Sequence, residues 1–134
     1  MKKILFIGFL LLILVPKVEA IQAESYVVMD YDTGRILEGK NEDKEKLIAS
    51  TTKIMTAIVA LENGSLDSTI KVGEEVLQAY GSAIYLSLNE EISLKDLLYG
   101  LMLRSGNDAA IEIAYLVSGN MDNFVDLMNK KSYQ

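Results

Sequence analysis

The sequence contains no cysteine, no histidine and no tryptophan, and only one proline among 134 residues. Each absence narrows the chemistry. Without cysteine, disulfides do not stabilise the fold. Without histidine the Ser-His-Asp triad is excluded, and with cysteine also missing so are the Cys-His pair and zinc sites built from these two residues. Nucleophilic catalysis, if present, must draw its base from Lys, Asp, Glu or Tyr. Long repeats and low-complexity segments are also lacking. Half of the residues are hydrophobic (50%) and 24% are charged, the balance of a globular chain of one domain.

The amino terminus departs from that average. Lys2 and Lys3 precede an apolar run from Ile4 to Val15, closed by Pro16 and Lys17 and followed by Val18-Glu19-Ala20. This is the three-part layout of a secretory signal peptide. A membrane-spanning helix needs roughly 20 apolar residues, and this run is shorter. Residues 1–20 are therefore expected to be a signal peptide cleaved after Ala20, with Ala23 as the second candidate. The protein is expected in the periplasm or on the outer face of the cell envelope. Setting aside Lys2, Lys3, Lys17 and Glu19 leaves 10 basic and 18 acidic residues, a net charge of −8. That surface argues against nucleic-acid and anionic-membrane partners.

From Ser25 to Tyr31 the β-branched and aromatic content predicts a strand. Asp32-Thr33-Gly34 predicts a turn, Arg35–Glu38 the returning strand, and 39–46 a charged loop. Ser50–Asn63 has helical periodicity and is apolar nearly all round, with Ile54, Ile58 and Leu61 on one face, which predicts a central buried helix ended at Asn63-Gly64. A short strand at 69–72 and a short helix at 74–80 follow. Ser93 and Asp96 form a capping box ahead of the stripe Leu94, Leu97, Leu98, Leu101 and Met102. A break at Arg104-Ser105-Gly106 precedes a helix started by Asn107 or Asp108 and running to about Val117. After a second break at Ser118-Gly119-Asn120, a last amphipathic helix carries Phe124, Leu127 and Met128. The pattern is α+β: a hairpin, then mostly helices. A lone hairpin is marginal in water, which suggests that part of a sheet is missing and that the chain alone is poorly stable.

Two groups of residues could carry chemistry. Ser50 and Lys53, three apart at the start of a helix, fall on one face as near neighbours. A serine hydroxyl needs a base to become a nucleophile, and lysine serves only in its neutral form, which burial and nearby positive charge favour. The bland alternative is a helix cap at Ser50 and a solvated Lys53. Ser105 and Asn107 occupy the inter-helix break, where a hydroxyl and an amide could orient a substrate and relay a proton; the alternative is ordinary turn chemistry. Neither spacing is rare. Ser68 and Lys71 repeat the first, in a strand-like setting that separates the two groups. Ser118-Gly119-Asn120 repeats the second, and Ser87-Leu88-Asn89 fits it loosely.

Wider context selects between the copies. Ile48-Ala-Ser-Thr-Thr-Lys-Ile-Met-Thr-Ala57, continued by Val59-Ala-Leu-Glu-Asn-Gly64, resembles the active-site helix of the low-molecular-mass penicillin-binding proteins, the serine D-Ala-D-Ala carboxypeptidases. The hairpin turn Asp32-Thr-Gly-Arg35 and the run Asp96–Ala110, where the family carries its second motif, extend the resemblance over roughly residues 25–130. It implies the α+β transpeptidase fold shared with β-lactamases. It also implies Ser50 as acylated nucleophile, Lys53 as base, and Ser105 and Asn107 lining the cleft, with Ser105 on the substrate and Asn107 in the catalytic group. The backbone N–H of Ser50 would donate to the oxyanion. The implied partners are the peptidoglycan pentapeptide stem and β-lactam antibiotics as covalent inhibitors; no cofactor or metal is implied. Gly106 at the middle of the second motif favours the carboxypeptidase branch over class A β-lactamases, which usually carry Ser-Asp-Asn.

The family's third motif, Lys-Thr-Gly on a later strand, has no counterpart here. Lys71-Val72-Gly73 falls between the first two motifs and lacks the hydroxyl. The resemblance thus covers an incomplete catalytic domain, expected at 21–134 with its later sheet strands missing. The family's frequent C-terminal membrane-associating helix is not encoded either. Three readings stay open: a carboxypeptidase, an inactive envelope remnant of one, and a membrane-anchored helical interaction protein that retains its leader. Amino-terminal sequencing of the exported protein is expected to begin at Ile21 or Glu24. A chain that keeps Met1 contradicts export by cleavage.

Overall fold

A computed structural model describes residues 21–133; the expected signal peptide at 1–20 lies outside the described residues. Among these, no helix is long and apolar enough to cross a membrane. The chain divides after Lys46 into two units.

The first unit is an antiparallel hairpin of β1 (Tyr26–Met29) and β2 (Ile36–Lys40). Its register runs from Tyr26 opposite Lys40 to Met29 opposite Ile36, with an irregularity between Val28 and Met29. The turn is organised one residue earlier than its Asp32-Thr-Gly signature suggests. Asp30 Oδ1 accepts from the hydroxyl and the backbone N–H of Thr33, and Gly34 takes the positive φ of 68° that favours glycine. The Thr33 hydroxyl, then its N–H, hold the Asp30 carboxyl below the usual range. The returning strand extends to Lys40, beyond the Glu38 expected, because Tyr26 and Val27 supply partners that far.

The second unit begins with a 3-10 turn, Ala49–Thr51, leading into α1 (Thr52–Asn63). Next come β3 (Thr69–Lys71), a 3-10 segment at Glu74–Gln78, and β4 (Glu91–Ser93). Three helices complete it: α2 (Leu94–Arg104), α3 (Asn107–Ser118) and α4 (Met121–Ser132). The β3–β4 pair is antiparallel, with Ile70 opposite Ile92. Its second strand escapes the sequence reading because Glu91-Ile-Ser93 is too short to show alternation.

Local chemistry explains the helix boundaries. The Ser93 hydroxyl caps α2 by accepting from Asp96 N–H (3.1 Å), and it donates to the Asp96 carboxylate (2.6 Å), so the reciprocal contact of the expected capping box runs through the hydroxyl. Asn120 caps α4 by accepting from Asn123 N–H at 2.8 Å, and Gly119 ends α3 in the left-handed conformation. The core forms where α1, α2, α3 and α4 meet, from Val59, Ala60, Leu94, Leu97, Leu101, Ala109, Ile113 and Phe124. Each large member contributes about 1.5–3 kcal/mol by leaving water.

Two expectations need correction. Helix α1 is buried on one face only: Val59 and Ala60 are in the core, whereas Ile54, Ile58 and Leu61 are exposed. Uniform apolarity does not itself supply a second layer to pack on. Met102, at the edge of the α2 stripe, is exposed for the same reason, while Leu94, Leu97, Leu98 and Leu101 are buried.

Helix α3 also buries two carboxylates, Asp108 and Glu112. Glu112 Oε1 accepts from Gly73 N–H at 3.4 Å, and Oε2 is buried without a hydrogen-bond partner. Burial, and next the charge of Glu75, push the Glu112 carboxyl up to about 7 from 4.5. The folded chain thus holds this proton more tightly than the unfolded chain does. Its contribution to stability is complete below about pH 4.5 and is lost as pH rises through 7. We expect Glu112→Gln to flatten this part of the pH dependence, a difference on the order of 3 kcal/mol. Urea midpoints of both proteins at pH 5 and pH 8 measure it; parallel pH profiles would contradict the assignment.

Candidate active site

The start of α1 and the α2–α3 junction, more than fifty residues apart in sequence, meet through two side-chain pairs. The Ser105 hydroxyl donates to Ser50 Oγ at 2.9 Å. Lys53 Nζ donates to Asn107 Oδ1 at 2.6 Å. All four residues singled out in the sequence therefore converge, although no direct hydrogen bond links Ser50 to Lys53.

Backbone conformation aims these groups. Ser50 lies in the 3-10 turn ahead of α1 rather than in the α-helix itself, whereas Lys53 is in the first turn of α1. Ala49 before Ser50 has φ 45° and Ser105 has φ 56°, the left-handed region that costs a non-glycine residue about 1–2 kcal/mol. At Ser105 the chain leaves α2, and Gly106 N–H turns back to the Gly100 carbonyl at 3.2 Å. Glycine is the usual occupant of such a helix end; serine here places a hydroxyl against Ser50. Strain of this kind concentrates at functional sites.

Ser50 makes no side-chain capping bond to the helix, and Lys53 is 8% exposed. Neither fits the bland reading of a cap and a solvated lysine. The repeated motifs do fit theirs. Lys71 lies on β3, where Ser68 accepts Leu94 N–H through its carbonyl. Ser118 bonds the Ala114 carbonyl at 2.8 Å, Asn120 caps α4, and Asn89 takes a left-handed turn position.

One wall of the site is absent from the sequence reading. Asn107 Nδ2 donates to the Tyr80 carbonyl at 2.5 Å and Asn107 N–H to the Ser82 carbonyl at 2.7 Å. The Ser82 hydroxyl donates to the Ser105 carbonyl at 2.9 Å. Asp108, with 4% exposure, accepts from Ile84, Leu86 and Ala109 N–H groups at 2.9–3.2 Å. Segment 80–86 is thereby strapped across the α2–α3 junction. Asp108 looks from sequence like a helix-start residue, and no local pattern in 80–86 announces a wall.

The arrangement is an exposed serine oxygen, a second hydroxyl donating to it, and a buried amine fixed by an amide oxygen. It suits activation of a hydroxyl and relay of a proton.

A family model described as D-alanyl-D-alanine carboxypeptidase matches residues 14–134. The D-alanyl-D-alanine carboxypeptidase DacA of Haemophilus influenzae is 41% identical over 121 residues, covering 82% of this chain and 30% of that protein. DacF of Bacillus subtilis is 37% identical, covering 96% of this chain and 37% of its own length. Among solved structures, penicillin binding protein 5 from Haemophilus influenzae superposes with a TM-score of 0.79 at 35% identity, over 89% of this chain and 37% of that one. A D-alanyl-D-alanine carboxypeptidase from Mycobacterium tuberculosis gives 0.74 at 33% identity, over 83% and 42%. The present chain spans about a third of the length of these curated relatives. Its elements form part of the same α+β fold.

Ser105→Gly is expected to raise stability by about 1 kcal/mol by relieving the left-handed strain, while removing the hydroxyl that contacts Ser50. Chemical denaturation of the two proteins tests this. A fall in stability would show that the Ser105–Ser50 contact outweighs the strain.

Proposed function

This chain belongs to the D-alanyl-D-alanine carboxypeptidase family, and from that premise we propose that it performs serine acyl transfer on peptidoglycan stem peptides ending in D-Ala-D-Ala. The observation that carries the reading is the pair of contacts, Ser105 Oγ to Ser50 Oγ and Lys53 Nζ to Asn107 Oδ1, joining the start of α1 to the α2–α3 junction.

In this reading each residue has a task. Lys53 takes the Ser50 proton as Oγ bonds the carbonyl carbon of the penultimate D-alanine. Negative charge moves to the carbonyl oxygen, where the Ser50 backbone N–H, free of helical partners at the start of its turn, donates to it. Collapse restores the carbonyl and breaks the C–N bond. The proton returns from Lys53 through the Ser105 hydroxyl to the leaving nitrogen, and D-alanine departs as the amine. Water then cleaves the ester, and Ser50 regains its proton. Asn107 positions Lys53 throughout, because an amide oxygen accepts from both the amine and the ammonium form.

In a β-lactam the broken amide lies within a ring, so the leaving nitrogen stays tethered and the acyl adduct persists. The amino-terminal leader expected from the sequence is consistent with work outside the cytoplasm, at the cell envelope. The acidic surface is consistent with a peptide substrate rather than nucleic acid.

Incubation of the chain with a fluorescent penicillin is expected to give a covalent adduct that is absent in Ser50→Ala. Lys53→Ala is expected to slow its formation by at least about 100-fold. A wild-type chain that acquires no adduct at any concentration would sink the reading for this polypeptide.

A further inference from the structure

The chemistry above leaves Asp108 unused, yet it is among the most buried polar groups in the protein. Four N–H···O contacts converge on it: Ile84 N–H lies 3.0 Å from Oδ1 and 3.2 Å from Oδ2, Leu86 N–H 3.1 Å from Oδ2, and Ala109 N–H 2.9 Å from Oδ1. A buried carboxylate needs such donors, and charge-assisted bonds of this kind are roughly twice as strong as neutral ones. Drawing the amides of residues 84 and 86 onto one carboxylate leaves Tyr85 between them in the left-handed conformation, φ 63°, with its side chain exposed. Ile84 and Leu86 meanwhile pack against the core.

The same segment supplies the carbonyls of Tyr80 and Ser82 that hold Asn107, and the Ser82 hydroxyl that holds the Ser105 carbonyl. Asn107 in turn holds Lys53. We propose that Asp108 is a positioning residue: its buried carboxylate fixes segment 80–86, and through that segment sets Asn107 and Ser105 against Lys53 and Ser50. The part of this inference that concerns acylation rests on the carboxypeptidase reading; the part that concerns geometry does not.

Asp108→Asn keeps the shape but replaces one acceptor oxygen with a donor facing the Ile84 and Leu86 amides. In the isotope-labelled 134-residue chain, we expect the variant to lose at least tenfold in hydrogen-exchange protection at the Ile84 and Leu86 amides. The Asn107 side-chain amide resonance is expected to shift as its bond to Tyr80 loosens, while core amides such as Leu101 and Ile113 keep their protection. Acylation by a fluorescent penicillin is expected to slow at least tenfold, and Asp108→Glu to restore part of both effects. A folded Asp108→Asn chain with unchanged exchange at 84 and 86 and an unchanged Asn107 signal overturns the proposal. If the variant does not fold, the wild-type chain decides. Ile84, Leu86 and the Asn107 side-chain amide exchanging with a common opening free energy supports the proposal, and independent opening overturns it. Absence of any penicillin adduct in the wild type counts against the carboxypeptidase reading and leaves the exchange measurements valid.

Discussion

A lysine buried beside a short 3-10 turn must find a hydrogen-bond acceptor, and much of this structure follows from how Lys53 finds one. An unpaired ammonium or amine inside protein is costly. Here its partner is Asn107 Oδ1, at 2.6 Å, on a different helix and 54 residues later. Satisfying Lys53 therefore requires the α2–α3 junction to lie against the start of α1. That placement forces a tight exit from α2, hence the left-handed Ser105, and brings its hydroxyl within 2.9 Å of Ser50. The bond that resolves a desolvation problem also brings the four side chains together.

Much of this was visible before any coordinates. The capping box of α2, the breaks at Ser105-Gly106 and Gly119, and the order of helices come from local patterns: periodicity, cap residues and turn residues; the four converging side chains stand out from their repeats only through the wider family resemblance. What escaped is non-local. Strand β4 is three residues long and is recognisable only by its pairing with β3. The exposure of Ile54, Ile58 and Leu61 could not be foreseen from α1 alone, since apolarity shows what a residue favours and not what is available to cover it. The sequence also could not separate Ser50 and Lys53 from Ser68 and Lys71 by spacing. In the fold, the difference is that Ser50 and Lys53 each meet a side chain of the α2–α3 junction, whereas Lys71 lies on strand β3.

Segment 80–86 illustrates the same limit from another side. Its composition is that of an ordinary loop, and its importance lies in carbonyls and amides that every residue possesses. The residues that use those groups, Asn107 and Asp108, are adjacent, so one helix start both meets Lys53 and holds segment 80–86. One turn later Glu112 accepts from Gly73, extending the attachment to the start of the 73–86 stretch. Polar side chains on one side of a largely apolar helix are easily mistaken for solvent-facing positions. Here Asp108 and Glu112 are buried and serve the backbone of a neighbouring segment.

This division of work bears on how a strained site can persist. Ala49, Tyr85 and Ser105 each adopt a conformation that disfavours a side chain, and each costs on the order of 1–2 kcal/mol. A domain whose total stability is about 5–15 kcal/mol tolerates such residues only where surrounding bonds over-determine their position. At Ser105 those are the Gly106 N–H to Gly100 bond, the Ser82 hydroxyl on its carbonyl and the contact with Ser50; at Tyr85 they are the flanking amides held by Asp108. Apolar packing of Leu97, Leu101, Ile113 and Phe124 supplies the bulk stability but is indifferent to where a hydroxyl points. The hydrogen bonds add less in total and determine direction. The direction of the Ser50 and Lys53 side chains thus follows from a small set of hydrogen bonds, the Ser105 hydroxyl on one and the Asn107 amide oxygen on the other, and not from the apolar core.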